Sequence, residues 1–105
     1  LTGLGASPGV VTGTARVVRS LAEAAKLDEG DILVCEMTLP PWVPLFAVAG
    51  AVVADTGGLM SHCAIVAREF GLPAVVATQF GTRTIRDGMT LTVDGDRGEV
   101  RIERG

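Results

Sequence analysis

The sequence predicts a compact α/β domain with a mixed, partly parallel sheet. One observation is size, since 105 residues are enough for one domain, residues 1–105. Apolar residues make up 48% of the chain and charged residues 20%, a composition that can bury a core and excludes intrinsic disorder. Short apolar runs also alternate with helical segments and close with a hairpin pattern, which is typical of a mixed sheet covered by helices.

The first third of the chain predicts a loop and three short elements. Residues 3–13 hold four glycines and a proline, which predicts a loop with little regular structure. Residues 14–18 predict a strand. Ser20 and Glu23 have the spacing of a capping box, which predicts a short helix that runs through Leu27. The apolar run ILVC at 32–35 is bounded by charged residues and predicts a buried strand.

The middle of the chain predicts a rigid loop, a helix and a strand. Residues 38–44 contain three prolines, which fit a loop that enters a helix, because proline is tolerated in a first helical turn. We expect the helix at 45–49, with Gly50 as its left-handed end. The run AVVA at 51–54 predicts a second buried strand.

The best helix pattern lies at residues 61–70. A serine stands where a cap is preferred, and Gly71 follows the last apolar position of the pattern. The remaining apolar runs predict three further strands, the last two of them paired as a hairpin: 74–77, 90–93 and 99–102.

Charge and hydropathy argue against two kinds of partner. A net charge of −3 without a basic patch does not fit a nucleic-acid binder. No apolar run approaches the roughly 20 residues of a membrane-spanning helix, so we expect no membrane partner. The basic residues that come nearest to a cluster lie in the last quarter of the chain: Arg83, Arg86, Arg97, Arg101 and Arg104.

Cysteine content and the start of the chain bear on its cellular setting. Two cysteines are too few for a disulfide scaffold and fit a reduced, cytoplasmic protein, although one pairing between Cys35 and Cys63 stays open. No basic segment leads into an apolar stretch, so no secretion signal is visible. The chain begins with Leu1 rather than Met, and we interpret it as part of a longer protein.

The only histidine, His62, is the candidate for chemistry near neutral pH. It lies in the first turn of the predicted helix, where unpaired backbone N–H groups and a partial positive charge attract an anion such as phosphate. The same partial charge favours the neutral imidazole, whose free lone pair is a nucleophile. Gly57 and Gly58 leave room for a bulky donor to approach. His62 is therefore predicted to accept a phosphoryl group.

Simpler interpretations stand beside this one. A lone histidine at a helix start is commonly a capping or surface residue. No metal site is predicted, because the chain has neither Cys-x-x-Cys nor His-x-x-x-His spacing. Ser61 does not lie in the Gly-x-Ser-x-Gly elbow of a serine hydrolase. Cys63 adjoins His62 with poor geometry for thiol activation, and a small packing residue is the simpler interpretation.

The segment at 57–76, GGLMSHCAIVAREFGLPAVV, resembles the active-site signature of a mobile, swivelling phosphohistidine domain. This domain occurs in phosphoenolpyruvate-utilising enzymes, and the resemblance is to the phosphoenolpyruvate synthase, pyruvate phosphate dikinase and rifampin phosphotransferase type. The likeness continues in Ala-Ser-Pro-Gly at 6–9, in residues 38–46, and in the closing glycines and aspartates between 87 and 98. It covers nearly the whole chain and implies a compact β/β/α swivelling domain.

Residue by residue, the resemblance implies that His62 is the histidine that is transiently phosphorylated. Gly57 and Gly58 match the turn before it, and Ser61 matches the small hydroxyl residue at the helix start. Cys63 stands where the family often has alanine. We expect these four neighbours to support the phosphate.

Arg68 and Glu69 match the family's Arg-Glu pair. Arg68 is six positions past His62, roughly 240° around the helix, so we interpret the pair as structural or as a docking contact with a neighbouring domain. Met60 has no hydroxyl, so the threonine switch of the light-regulated dikinases is absent.

The resemblance implies a phosphoryl-carrier domain of a phosphotransferase. Such a domain binds no cofactor itself; ATP and Mg²⁺ are expected in an ATP-binding domain of the same protein, and pyruvate or a drug hydroxyl in an acceptor-binding domain. The carrier alone is expected to have no turnover. The alternative is a non-catalytic binding or regulatory module that keeps the fold.

Overall fold

Seven β-strands and three short α-helices form the computed structural model, which describes residues 1–105. The strands are β1 (Leu4–Ser7), β2 (Val10–Val17), β3 (Ile32–Cys35), β4 (Ala51–Ala54), β5 (Ala74–Val76), β6 (Thr90–Asp94) and β7 (Glu99–Arg104). The α-helices are α1 (Val43–Val48), α2 (His62–Phe70) and α3 (Gly81–Thr84), and 3₁₀ helices occupy Leu21–Lys26 and Pro40–Trp42.

All seven strands belong to one sheet, in the order β1-β5-β4-β3-β2-β6-β7. The four central strands, β5 to β2, run parallel, and the outer strands β1, β6 and β7 pair antiparallel to their neighbours. The prediction of a mixed, partly parallel sheet is confirmed. Because parallel strands end at the same edge, the segments that follow β2, β3, β4 and β5 all leave the sheet on one side.

The sheet curls until its two ends meet. The residues just before β1 reach β7, where the Gly3 N–H donates to the Gly98 carbonyl at 2.8 Å and Thr2 bridges Glu99. Eleven buried apolar residues fill the inside of the curl, among them Ile32 and Val34 of β3. Alternate residues of the same strand, such as Leu33, point to a second core of 17 residues under α1 and α2. The two facing parts of the curled sheet and the helices therefore form three layers, β/β/α.

The prediction of a loop at residues 3–13 is wrong, because the glycines there allow close approach of backbones within strands. A Cβ atom at Gly5 would lie 2.2 Å from the carbonyl oxygen of Gly95. One at Gly95 would lie 1.8 Å from the carbonyl oxygen of Ser7. The sheet can close at this point only because side chains are missing on both sides of the contact.

Two helix predictions need correction. The segment after Ser20 is a 3₁₀ helix without a side-chain cap, and the Glu23 carboxylate accepts instead from the Arg19 N–H at 2.8 Å. Helix α1 ends in the extended residue Ala49, so Gly50 is not a left-handed cap. Gly50 lies so close to Gly30 that a Cβ atom would come within 2.7 Å of its carbonyl oxygen. None of the helices is long and apolar enough to cross a bilayer.

Candidate functional site

His62 is the first residue of α2, directly after the capping residue. The Ser61 hydroxyl accepts from the Ala64 N–H at 3.3 Å and donates to the Gly58 carbonyl at 2.7 Å. At the other end, Gly71 adopts the left-handed conformation with φ 70°, as the sequence predicts. The N–H groups of His62 and Cys63 make no hydrogen bond within the protein, so they remain free for an anion.

The imidazole of His62 is held by a residue from another loop. Its Nδ1 lies 2.8 Å from the Thr38 hydroxyl oxygen. The Phe46 ring meets it edge to face, with ring centroids 6.4 Å apart and planes at 79°. Nδ1 is thus engaged, whereas Nε2 has no partner within the protein. One nitrogen is positioned by the fold and the other is available for chemistry.

The loops meet because β3 and β4 are parallel neighbours. Cys35 and Ala54, which end these strands, are paired in register. The segment after β3 therefore brings Thr38 to the same edge at which the segment after β4 brings His62.

An open pocket of about 200 Å³ lies in front of the imidazole. His62 is half-buried there, so the ring is held and yet accessible. Gly57 has φ 103°, and a Cβ atom at this position would lie 2.9 Å from the Ser61 hydroxyl oxygen. Seven residues line the pocket, and none of them is an acidic residue, a lysine or an arginine: Met37, Thr38, Thr56, Gly57, Ser61, His62 and Cys63.

Both cysteines are free and buried in the core. Burial raises the pKa of the Cys63 thiol to about 11, although the Thr38 hydroxyl opposes part of this effect. Burial also raises the pKa of Cys35 well above its ordinary value. Neither thiol is ionised near neutral pH, so neither is an activated nucleophile. Cys63 can serve an anion only through its backbone N–H.

The Arg68 guanidinium lies away from the imidazole and joins two segments of backbone. Its Nε donates to the Ala6 carbonyl in β1 at 2.8 Å, and a terminal nitrogen donates to the Leu59 carbonyl in the loop before His62. Arg68 therefore connects α2, β1 and the loop before His62. Glu69 is exposed and makes no hydrogen bond or ion pair. No group of three or more His, Cys, Asp or Glu side chains is placed to hold a metal.

The sequence alone does not single out Thr38 or Phe46 as site residues. Its available signal was the order of elements: Thr38 follows a buried strand whose parallel neighbour leads to His62, and such adjacent ends form binding sites. The resemblance also included residues 38–46, but without assigning a role to either residue.

A family model described as the mobile domain of PEP-utilising enzymes matches residues 27–98. The chain belongs to this family. This mobile domain is 51% identical over 107 residues to a probable phosphoenolpyruvate synthase of Archaeoglobus fulgidus, covering 99% of the chain and 14% of that relative. It is 50% identical to a rifampicin phosphotransferase of Streptomyces sviceus, covering 97% of the chain and 12% of the relative.

A prodigiosin-synthesizing transferase of Serratia marcescens is also 50% identical, over all of the mobile domain and 12% of its own length. The chain thus spans about an eighth of these relatives, in which the mobile domain is one part of a multidomain enzyme. Among solved structures, Enzyme I (nEIt) aligns with a TM-score of 0.66 and 28% identity over 76% of this chain and 33% of that one. An aconitase X chain of Thermococcus kodakaraensis shares the fold alone, with a TM-score of 0.73 and 18% identity over 97% of this chain and 96% of that one.

Proposed function

We propose that residues 1–105 form one phosphoryl-carrier domain of a longer phosphotransferase. His62 accepts a phosphoryl group from ATP or phosphoenolpyruvate at one domain and delivers it at another to an acceptor such as pyruvate or a drug hydroxyl. The observation that carries the proposal is the state of the imidazole: Nδ1 is bound to Thr38 at 2.8 Å, and Nε2 is unpaired beside an open pocket.

The hydrogen bond supports Nε2 as the nucleophile. When Nδ1–H donates to the Thr38 oxygen, Nε2 carries the lone pair of the neutral ring. Nε2 attacks the phosphorus in line, a P–N bond forms, and the P–O bond to the donor breaks with its electron pair leaving on the donor oxygen. The positive end of α2 and its free N–H groups stabilise the added negative charge.

Delivery reverses these bond changes. An acceptor oxygen attacks the phosphorus, and the imidazole leaves with the P–N electron pair while Nδ1 keeps its proton. One difficult transfer is thereby divided into two steps through a covalent intermediate.

The pocket supports the need for partner domains. A complete phosphotransferase has cationic side chains and metal-binding carboxylates around the phosphates. The pocket in front of His62 is lined by neither. We therefore assign ATP and Mg²⁺ to an ATP-binding domain and the acceptor to an acceptor-binding domain, and we expect no turnover from the isolated carrier.

The experiment is to incubate the protein with ³²P-labelled ATP or phosphoenolpyruvate and its loading domain. We expect an acid-labile, alkali-stable label on His62 that is absent from His62→Ala. His62→Asn is the folding control, because the half-buried ring contributes little to the core and cooperative unfolding should persist. A label that survives in the alanine variant contradicts the proposal. Specific binding without any label supports the alternative, a binding or regulatory module.

A further inference from the structure

A cationic cleft lies along the same edge of the sheet as His62. It has a volume of about 520 Å³, and four of its lining residues are basic: Arg19, Lys26, Arg83 and Arg86. Two are acidic, Glu23 and Asp87. The cleft therefore carries a net charge of +2, counted from these six groups, on a chain whose net charge is −3.

The carboxylates of the cleft are already committed. Asp87 accepts from the Val17 N–H at 2.5 Å and from the Lys26 ammonium at 3.0 Å. Glu23 accepts from the Arg19 N–H at 2.8 Å and also pairs with Lys26 at 3.6 Å. Two carboxylates thus pair with the Lys26 ammonium, and neither of them forms an ion pair with an arginine of the cleft.

The arginines of the cleft are free to bind outward. Arg83 and Arg86 are exposed and form no ion pair. The Arg19 guanidinium is held in place by the Thr82 carbonyl at 3.1 Å. A guanidinium presents donors in a fixed fork that fits a carboxylate or a phosphate, so the cleft favours an anionic partner.

The cleft and the His62 pocket flank a depression that shares lining residues with each of them. Arg19, Thr82 and Arg83 also line a neighbouring depression of about 370 Å³. Two carboxylates line it as well: the exposed Glu36, and Asp55, which accepts from the Thr82 N–H and hydroxyl. Thr56 belongs both to that depression and to the pocket in front of His62. The ends of β2 and β4 lie two strand spacings apart, about 10 Å. A partner domain that covers His62 therefore also reaches the arginines.

The rest of this edge has the composition of a protein interface. Five large apolar side chains at this edge are about half exposed or more: Met37, Leu39, Leu59, Met60 and Phe80. Methionine, aromatic residues and arginine are the types enriched where proteins meet. The edge thus has an apolar part around His62 and a cationic flank at Arg83 and Arg86.

We infer that Arg83 and Arg86, aided by Arg19, dock an acidic surface of the domain that loads His62. The inference rests on the proposed function. Charge complementarity favours this occupant, and the relatives, of which this chain covers 12–14%, have ample further chain to supply it. The arginines orient the carrier so that Nε2 meets the donor phosphate, while the apolar rim excludes water.

The test measures the rate at which His62 is labelled in the longer protein, by rapid quench at low and high salt. We expect Arg83→Glu/Arg86→Glu to slow labelling about ten-fold at low salt, with the difference shrinking at high salt as screening increases. Arg101→Glu/Arg104→Glu is the matched control. It makes the same charge change at two exposed positions of β7, and should label at the wild-type rate.

The outcomes separate the docking inference from the proposed function. If Arg83→Glu/Arg86→Glu is labelled at the wild-type rate, the docking inference alone is overturned. Equal slowing by the two pairs also overturns it, because the effect would then come from net charge. A wild-type protein that takes no label at His62 overturns the proposed function and this inference with it.

Discussion

Thr38→Val isolates the hydrogen bond that positions His62. Valine matches the shape of threonine and replaces the hydroxyl, which lies 2.8 Å from Nδ1 and also lowers the pKa of the buried Cys63 thiol, by a methyl group. Thr38 is 5% exposed, so water cannot easily replace the lost partner. A neutral hydrogen bond contributes about 0.5–1.5 kcal/mol net. In the proposed mechanism the hydroxyl accepts from Nδ1–H, so the tautomer with hydrogen on Nδ1 should lose a factor of about 2 to 10 in population relative to the tautomer with hydrogen on Nε2.

Two measurements check this expectation. The ¹⁵N chemical shifts of the ring report which nitrogen carries hydrogen, and rapid-quench labelling reports the rate at which Nε2 is phosphorylated. The population of the Nδ1–H tautomer and the labelling rate should both fall in Thr38→Val, and by a similar factor. Thr38→Ser keeps the hydroxyl and should restore most of each signal.

A Thr38→Val protein with wild-type tautomer populations would show that the hydroxyl does not select the reactive form of His62. Slower labelling with unchanged ring shifts would point to a packing defect instead. Either result refutes the role given to Thr38.

Three further predictions concern stability. Burial alone would raise the pKa of Asp87, but the Val17 N–H and Lys26 hold that pKa below its ordinary value. The ionised carboxylate therefore stabilises the fold above about pH 4, and this stabilisation is lost as the pH falls. In acid denaturation, the free energy of unfolding of Asp87→Asn should depend less steeply on pH than that of the wild type. Burial raises the pKa of Cys63 to about 11, so the free energy of unfolding should fall as the pH rises from about 8.5 towards that value. This fall should be less steep in Cys63→Ala. Iodoacetamide should react with the thiol only in unfolded chains. Gly95→Ala should cost about 3 kcal/mol in urea unfolding, because its Cβ would overlap a carbonyl oxygen, and wild-type stability in this variant would contradict the close contact.

The central strands and α2 could be predicted because their causes are local. The runs at 32–35 and 51–54 are short and apolar throughout, as is typical of strands buried on both faces. Helix α2 has a serine cap and a left-handed glycine end, and both are visible in the sequence. His62 as the candidate nucleophile followed from its place in that helix.

Other features depend on contacts between distant residues. Helix α3 has only four residues, and the buried Asp55 carboxylate, 27 positions away, accepts from its Thr82 N–H at 2.9 Å. Thr38 reaches His62 across 24 positions only because β3 and β4 are adjacent. The glycines before β2 could not be distinguished from turn glycines without knowing which strand closes on β1. Side-chain types alone do not specify such neighbours.

The two hydrogen bonds of Arg68 have a consequence for motion. One end of the guanidinium holds a carbonyl of β1, where the sheet closes, and the other holds the backbone of Leu59. Loosening β1 therefore removes an anchor from the loop that presents the imidazole, and the two segments should open as one cooperative unit. In native-state hydrogen exchange, their amide protons should share a single opening free energy, and loss of the guanidinium should let each segment open separately.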